Sequence, residues 1–102
     1  MKLISTVLFA FFLGTTSTLA QHSISGNIVD DEKAPLSFAN IILYEKGSSE
    51  NPKGVISDDN GTYRFENIKN GTYHIEVSML GFETKKVDEF TLSANQTFNF
   101  TL

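Results

Sequence analysis

The stretch from Ser57 to Phe82 constrains the fold more than any other, because it alternates apolar and polar residues around two Asn-Gly pairs. Asn and Gly tolerate the positive φ angles of tight turns better than other residues do. After each pair, aromatic and β-branched residues alternate with polar ones, which is typical of a strand with one buried face. The residues predicted to face inward are Tyr63, Phe65, Tyr73, Ile75 and Val77. The stretch therefore predicts an antiparallel meander with hairpin turns at Asn60-Gly61 and Asn70-Gly71.

The remainder of the chain supplies further strands and no segment of helical period. Its apolar residues alternate or cluster in short segments that are bounded by turn residues. The predicted strands outside the meander are 23–29, 38–45, 54–57, 83–92 and 96–102. Strands that each have one apolar face bury that face by packing two sheets together. We therefore predict an all-β fold, a seven-strand antiparallel β-sandwich.

The first twenty residues have the pattern of a secretory signal peptide. Lys2 precedes an apolar run from Leu3 to Gly14, and a tail of small residues ends at Ala20. A transmembrane anchor is the alternative, but the run is shorter than the roughly 20 residues that span a bilayer core. We predict a signal peptide over 1–20, cleavage between Ala20 and Gln21, and a domain over 21–102 with no transmembrane span.

Charge and cysteine content exclude several classes of protein. The chain has no Cys, so it carries neither a disulfide framework nor the cysteine of a bacterial lipoprotein. Without Lys2, seven Lys and Arg stand against twelve Asp and Glu, a net charge of −5. Nucleic acid is therefore not an expected partner, because its recognition depends on cationic neutralisation of phosphates.

The order of turns and strands resembles a known family over residues 23–102. The match is carried by "GNIVDDEKAPLSFANIILYEKG" and by "GVISDDNGTYRFENIKNGTYHIEVSMLGFETKK". Its main turn and core positions are Asp58, Gly61, Tyr63, Phe65, Gly71, Tyr73, Gly81 and Phe82. The chain is similar to the carboxypeptidase regulatory-like domain, and this resemblance implies a transthyretin-like (prealbumin-like), Ig-like sandwich.

The resemblance also implies a class of function. Domains of this kind are non-catalytic, and in Bacteroidota they follow the signal peptide of TonB-dependent outer-membrane receptors. It therefore implies an exported accessory or interaction domain that acts in the periplasm or at the outer membrane, with a protein partner at the cell envelope. Both a free-standing protein and the front piece of a larger receptor agree with the sequence.

The residues that could carry chemistry do not form a catalytic or metal-binding set. Asp58, Asp59 and Asn60 are consecutive, whereas a calcium loop alternates its ligands, so an Asx turn explains them better. His74 has neither a second His nor a Cys within zinc-ligand spacing. No nucleophile motif is present. We therefore expect no enzyme activity, no cofactor and no metal.

One group of residues is a candidate binding surface. Phe38, Ile42 and Tyr44 share the outer face of the predicted second strand, beside a polar loop over 46–54. They either pack under a neighbouring segment or form an exposed contact patch. A small carbohydrate-binding module is the alternative function, because sandwich folds can present aromatic side chains to sugars. The absence of Trp argues against it.

Overall fold

The computed structural model describes residues 21–102, so the predicted signal peptide and Ala20 lie outside the described residues. The described residues form eight strands and no helix. The strands are β1 (Gln21–Val29), β2 (Asn40–Glu45), β3 (Lys53–Ile56), β4 (Thr62–Lys69), β5 (Gly71–Ser78), β6 (Lys85–Leu92), β7 (Gln96–Thr97) and β8 (Phe100–Thr101). Residues 21–102 accordingly contain no helix that is long and apolar enough to cross a membrane.

The strands form two sheets, which confirms the predicted all-β sandwich. In the first sheet β1 pairs with β4 in antiparallel orientation, and with the short strands β7 and β8 in parallel orientation. The second sheet has the order β3-β2-β5-β6 and is antiparallel throughout. The predicted hairpins at Asn60-Gly61 and Asn70-Gly71 are wrong, because β3 to β4 and β4 to β5 each pass from one sheet to the other.

The core lies between the two sheets and is built from the alternating residues of each strand. The inward prediction for Tyr63, Phe65, Tyr73, Ile75 and Val77 agrees with their burial, since each is at most 3 % exposed. The other buried apolar residues are Ile24, Ile28, Ala39, Ile41, Leu43, Ile68, Leu92, Phe100 and Leu102. Ser57 is also buried, where its hydroxyl donates to the Leu36 carbonyl and accepts from the Ala39 amide.

The closing strand is split in two where it passes Gly26, although its register on β1 is the same on both sides. The Phe98 carbonyl oxygen approaches so closely that a Cβ on Gly26 would stand 1.8 Å from it. The Tyr63 hydroxyl donates to the same carbonyl at 2.6 Å. Asn99 turns its side-chain oxygen to accept the Asn27 amide at 2.9 Å, in place of a backbone acceptor. The predicted single strand over 96–102 therefore becomes β7 and β8 on either side of this contact.

The turn from Asp58 to Gly61 contains the Asx geometry that the sequence predicts. One Asp58 side-chain oxygen accepts the amides of Asn60 and Thr62, each at 2.9 Å. Gly61 has a φ of +73°, and a Cβ there would stand 2.5 Å from the Ile28 carbonyl oxygen. The turn thus fixes the passage from β3 into β4 and docks it against the end of β1.

Gly71 does not have the predicted positive φ angle. Gly47, in the loop between β2 and β3, does have a positive φ angle, of +78°. Gly71 is the first residue of β5, and the side chain of Asn70 binds His22 on β1. The Asn-Gly pairs thus predicted a positive φ correctly at Gly61 and wrongly at Gly71, where an extended connection between the sheets needs no left-handed residue.

A bulge in β4 keeps Ile68 in the core. Ile24 pairs with Phe65 but His22 pairs with Ile68, so β4 contains one more residue than β1 over this stretch. Asn67 takes up the extra length with a φ of +60°. A bulge of this kind resets which face the following side chain occupies. Ile68 therefore points inward although it is an odd number of residues after Phe65.

The buried Tyr63 hydroxyl gives a prediction at alkaline pH. Burial raises the pKa of Tyr63 above the ordinary value of 10.0. The folded protein therefore holds this proton more tightly than the unfolded chain does, and the free energy of unfolding should fall as pH rises above about 10. Below that pH the contribution is fully present.

Urea denaturation at pH about 8 and about 11 checks this prediction. The wild type should lose more stability between the two pH values than Tyr63→Phe, which has no hydroxyl to ionise. Equal losses of stability in the two proteins would show that the proton affinity of Tyr63 is the same in the folded protein and in the unfolded chain.

Candidate functional site

The connections between strands gather at two opposite ends of the sandwich. Segments 30–39, 57–61 and 79–84 lie at the end where β1 finishes and β2 begins. The loop 46–52, residue 70 and segment 93–95 lie at the other end. Binding residues are commonly found on connections that a rigid sheet positions. The two ends differ in character.

The structure separates Phe38 from the other two residues of the predicted contact patch. Phe38 precedes β2, has a φ of +66° and donates its amide to the Ser57 carbonyl at 3.0 Å. Ile42 and Tyr44 lie within β2 on the outer face of the second sheet, and both are half-buried. The prediction that Phe38 belongs to the strand is wrong, because the left-handed backbone at this residue ends the extended conformation.

Four exposed apolar side chains lie at the first end and form what we call the apolar end. Their exposed fractions are 72 % for Phe38, 59 % for Ile56, 98 % for Leu80 and 37 % for Phe82. The register brings them together: Asn40, two residues after Phe38, pairs with Ile56 on one side and with Ser78, two residues before Leu80, on the other. Single exposed apolar residues are ordinary, but a group at one place marks an interaction surface.

A tight turn presents Leu80 to solvent. The Phe82 amide donates to the Met79 carbonyl at 3.0 Å, and Gly81 has a φ of +90°. A positive φ at the third position of a turn is the geometry of a type II turn, which Gly permits. Gly81, one of the turn and core positions named from the sequence, therefore lies in a turn, and this turn places Leu80 at its tip.

Acidic residues surround the apolar end. Asp30, Asp31 and Glu32 line a shallow hollow of about 410 Å³ together with Phe82 and Leu102. Asp58 and Asp59 follow Ser57, whose carbonyl binds the Phe38 amide, and Glu83 follows Phe82. Two cations are near these acids: Lys33 lies in the connection after β1, and Lys85 is the first residue of β6. The surface is thus apolar at its centre and net negative at its border.

A cleft of about 360 Å³ lies at the opposite end, between the end of β2, the loop 46–52 and the end of β4. Its apolar lining consists of three buried core residues, Leu43, Ile68 and Tyr73, together with Tyr44 and Pro52, which are outside the core. Its polar lining residues are Gln21, Glu45, Ser48, Glu50, Asn51, Lys53, Asn67 and Lys69. A volume of this order holds a small ligand.

The charges of the cleft are partly paired. Lys69 lies 3.7 Å from Glu45, and the Tyr73 hydroxyl donates to the Lys69 carbonyl at 2.8 Å. Burial, together with the negative charge of Glu45, raises the pKa of the Tyr73 hydroxyl. Tyr73 therefore stays protonated and acts as a hydrogen-bond donor at neutral pH, which suits a structural role.

Tyr44 stands at the edge of the cleft and stacks on His74. The two rings are nearly parallel, at an angle of 9°, with their centroids 4.6 Å apart. Glu76 lies 3.6 Å from the Nε2 atom of His74 on the same face. Tyr44 and His74 are direct cross-strand partners in β2 and β5, so this stack is the ordinary contact of facing residues in a sheet.

Metal ligands are not assembled in the part of the chain that the structure describes. Residues 21–102 contain no group of three or more His, Asp or Glu side chains that could hold a metal ion. The Asp58 carboxylate is used by the amides of its own turn.

A family model matches residues 23–102, and it describes the carboxypeptidase regulatory-like domain. The chain belongs to this family. The match spans nearly all described residues, and the family is a regulatory type of domain. No curated protein sequence matches the chain.

Solved structures with a similar fold have diverse functions. A candidate carbohydrate-binding protein from Bacteroides uniformis is 22 % identical with a TM-score of 0.61, over 79 % of this chain and 40 % of that one. A chain of a type II cohesin–X-dockerin complex from Acetivibrio cellulolyticus is 20 % identical with a TM-score of 0.57, over 78 % and 52 %. The 3-chlorocatechol 1,2-dioxygenase of Rhodococcus opacus is 10 % identical with a TM-score of 0.63, over 83 % and 60 %. The chain thus spans less than two thirds of each, and the likeness shows the fold alone.

Sequence reasoning missed two residues of the apolar end. It named Phe38 as a contact residue and Phe82 as a turn residue, but it left out Ile56 and Leu80. Leu80 precedes a Gly at a predicted bend, and an apolar residue at a turn tip is a signal that could have been used. Ile56 gave no such signal, because its face depends on pairing with β2.

Proposed function

We propose that this carboxypeptidase regulatory-like domain is a non-catalytic, exported interaction module that acts in the periplasm or at the outer membrane. It binds a protein partner through the apolar end. The signal-like pattern over 1–20 supports export, and the regulatory type of the family supports a role without catalysis. A position directly behind the signal peptide also resembles the front extension of TonB-dependent receptors.

The observation that carries this proposal is the grouping of Phe38, Ile56, Leu80 and Phe82. A small domain that must bury its apolar residues to fold nevertheless leaves four large ones in solvent at one end. A nearly fully exposed Leu80 contributes nothing to the core, but it can insert into a pocket of a partner. Contact with a partner is the simplest use for this arrangement.

Site-specific photo-crosslinking in the native host tests the proposal. A photoreactive amino acid replaces Leu80 in one variant and Thr91, an exposed residue of β6 away from the apolar end, in the other. After fractionation, the Leu80 variant should give one discrete crosslinked protein in an envelope fraction, and the Thr91 variant should not. A cytoplasmic location, or identical products from both variants, would contradict the proposal.

Carbohydrate binding is a second candidate, and the cleft is the observation that favours it. Carboxylate and amide groups such as Glu45, Asn51 and Gln21 surround apolar lining in a cavity of ligand size, which is a common arrangement in small-molecule sites. The similar fold of the Bacteroides uniformis protein also supports it.

Calorimetry against a panel of polysaccharides, with Glu45→Gln as the comparison, tests this candidate. A heat of binding that is lost in Glu45→Gln would support carbohydrate binding at the cleft. The absence of a binding heat with every polysaccharide of the panel would contradict it.

A further inference from the structure

We infer that the partner segment bound at the apolar end is cationic, with an apolar side chain next to Lys or Arg residues. This inference rests on the proposed function, because it specifies the chemistry of the partner at the same surface. It is carried by the distribution of charge over residues 21–102 and by the hollow beside Phe82.

The excess of negative charge in the domain is concentrated at the apolar end. Away from the apolar end three acids are paired with Lys or Arg: Lys46 with Glu89, Arg64 with Glu66, and Lys69 with Glu45, whereas Glu50 and Asp88 have no ion pair among residues 21–102. At the apolar end none of the acids has an ion-pair partner within 4.0 Å among residues 21–102. These acids are Asp30, Asp31, Glu32, Asp58, Asp59 and Glu83. Six carboxylates therefore stand against two neighbouring cations, Lys33 and Lys85.

The hollow places this charge directly beside an apolar side chain. Asp30, Asp31 and Glu32 share its lining with Phe82 and Leu102. An apolar side chain in the hollow would bring its sequence neighbours next to three carboxylates. A partner with Lys or Arg at those positions gains attraction, whereas an acidic partner meets repulsion.

The same charges make two other occupants less favourable. A second copy of the chain would bring one acidic border against another, which costs free energy. An anionic membrane surface would be repelled by the same carboxylates, although the exposed Leu80 and Phe82 could otherwise enter it. A cationic, apolar segment of another protein remains the occupant that the surface fits.

Titration of the purified protein with synthetic peptides, followed by NMR of the backbone amides, tests the inference. The probe is a peptide of about 12 residues that alternates Leu with Lys, and its controls replace Lys by Glu or Leu by Ser. The Leu-Lys peptide should shift the amides of 30–32 and 80–83, and both control peptides should bind at least about tenfold more weakly. Raising the salt concentration from about 0.05 to about 0.5 M should weaken its binding, because surface charges are screened.

Matched variants separate the contribution of the carboxylates to peptide binding from that of the apolar side chains. Asp31→Asn with Glu32→Gln should weaken binding roughly threefold to tenfold. Asp88→Asn with Glu89→Gln removes the same charge from β6 and should leave the affinity unchanged. Loss of binding in Leu80→Ser would show that the apolar centre is also needed.

Several outcomes would overturn the inference. These are no binding of the Leu-Lys peptide, equal binding of the Glu peptide, shifts outside the apolar end, self-association through this end, and binding to anionic phospholipid vesicles. If photo-crosslinking at residue 80 still trapped a partner, the charge inference would be wrong while the proposed function stood. If neither experiment gave a contact at this end, both would be wrong.

Discussion

Replacement of Gly26 by alanine is expected to lower the free energy of unfolding by at least about 3 kcal/mol. The added Cβ would stand 1.8 Å from the Phe98 carbonyl oxygen and 2.7 Å from its carbon, both backbone atoms. Backbone atoms cannot relieve this clash by a change of rotamer, as the end of a flexible side chain could. The closing segment must therefore leave β1, and the Phe98 amide loses its bond to the Ser25 carbonyl.

Gly54→Ala is the matched control for this prediction. Gly54 also lies in a strand, but the nearest heavy atom to its added Cβ is the Ile41 carbonyl oxygen at 3.9 Å. Its substitution should change stability by less than about 1 kcal/mol. Chemical denaturation of both variants makes the comparison, with far-UV circular dichroism if the Gly26 variant is too unstable to titrate. Equal stability of the two variants would show that the Phe98 carbonyl does not pack directly on Gly26.

Replacement of Tyr63 by alanine is expected to cost about 3–5 kcal/mol, because it removes a large side chain from the centre of the core. Tyr63 is 2 % exposed, and its ring lies 6.1 Å from that of Phe65 and 6.2 Å from that of Phe100. Its hydroxyl also holds the Phe98 carbonyl at 2.6 Å. The substitution therefore leaves a cavity in the core and also removes the hydrogen bond to the segment that contains Phe98.

Two variants separate these contributions. Tyr63→Phe keeps the ring and should cost about 1–2 kcal/mol, the value of one buried hydrogen bond. Tyr44→Ala removes a half-buried tyrosine on the outer face and should cost less than Tyr63→Ala. Urea titrations give all three values. A loss for Tyr63→Ala no larger than that for Tyr44→Ala would contradict the place of Tyr63 in the core.

The alternation of residues predicted the strands and their inward faces well, because burial on one side of a sheet imposes a period of two. It did not predict which strands pair. Asn60-Gly61 and Asn70-Gly71 both join strands of different sheets, and a local turn sequence contains no information about the sheet that the next strand enters. The bulge at Asn67 was missed for a similar reason, since its need arises from the burial of Ile68 against β1.

The candidate site was less predictable than the fold. Phe38, Ile42 and Tyr44 were grouped by strand periodicity, but the positive φ of Phe38 separates it from the strand. The apolar end depends on register between β2, β3 and β5, which brings Ile56 and Leu80 to the same end as Phe38. Such register is a long-range property and cannot be derived from one stretch of sequence.

Thiol accessibility in the cell envelope tests the central claim most directly, because the protein has no native Cys. Single variants Leu80→Cys and Thr91→Cys are labelled with a membrane-impermeant maleimide, both as purified protein and in the native envelope. Both thiols should react at similar rates in the purified protein. In the envelope, the thiol at residue 80 should be protected at least about tenfold while that at residue 91 stays reactive, as burial at a partner interface requires. Equal labelling of the two thiols in the envelope would contradict a partner bound at the apolar end.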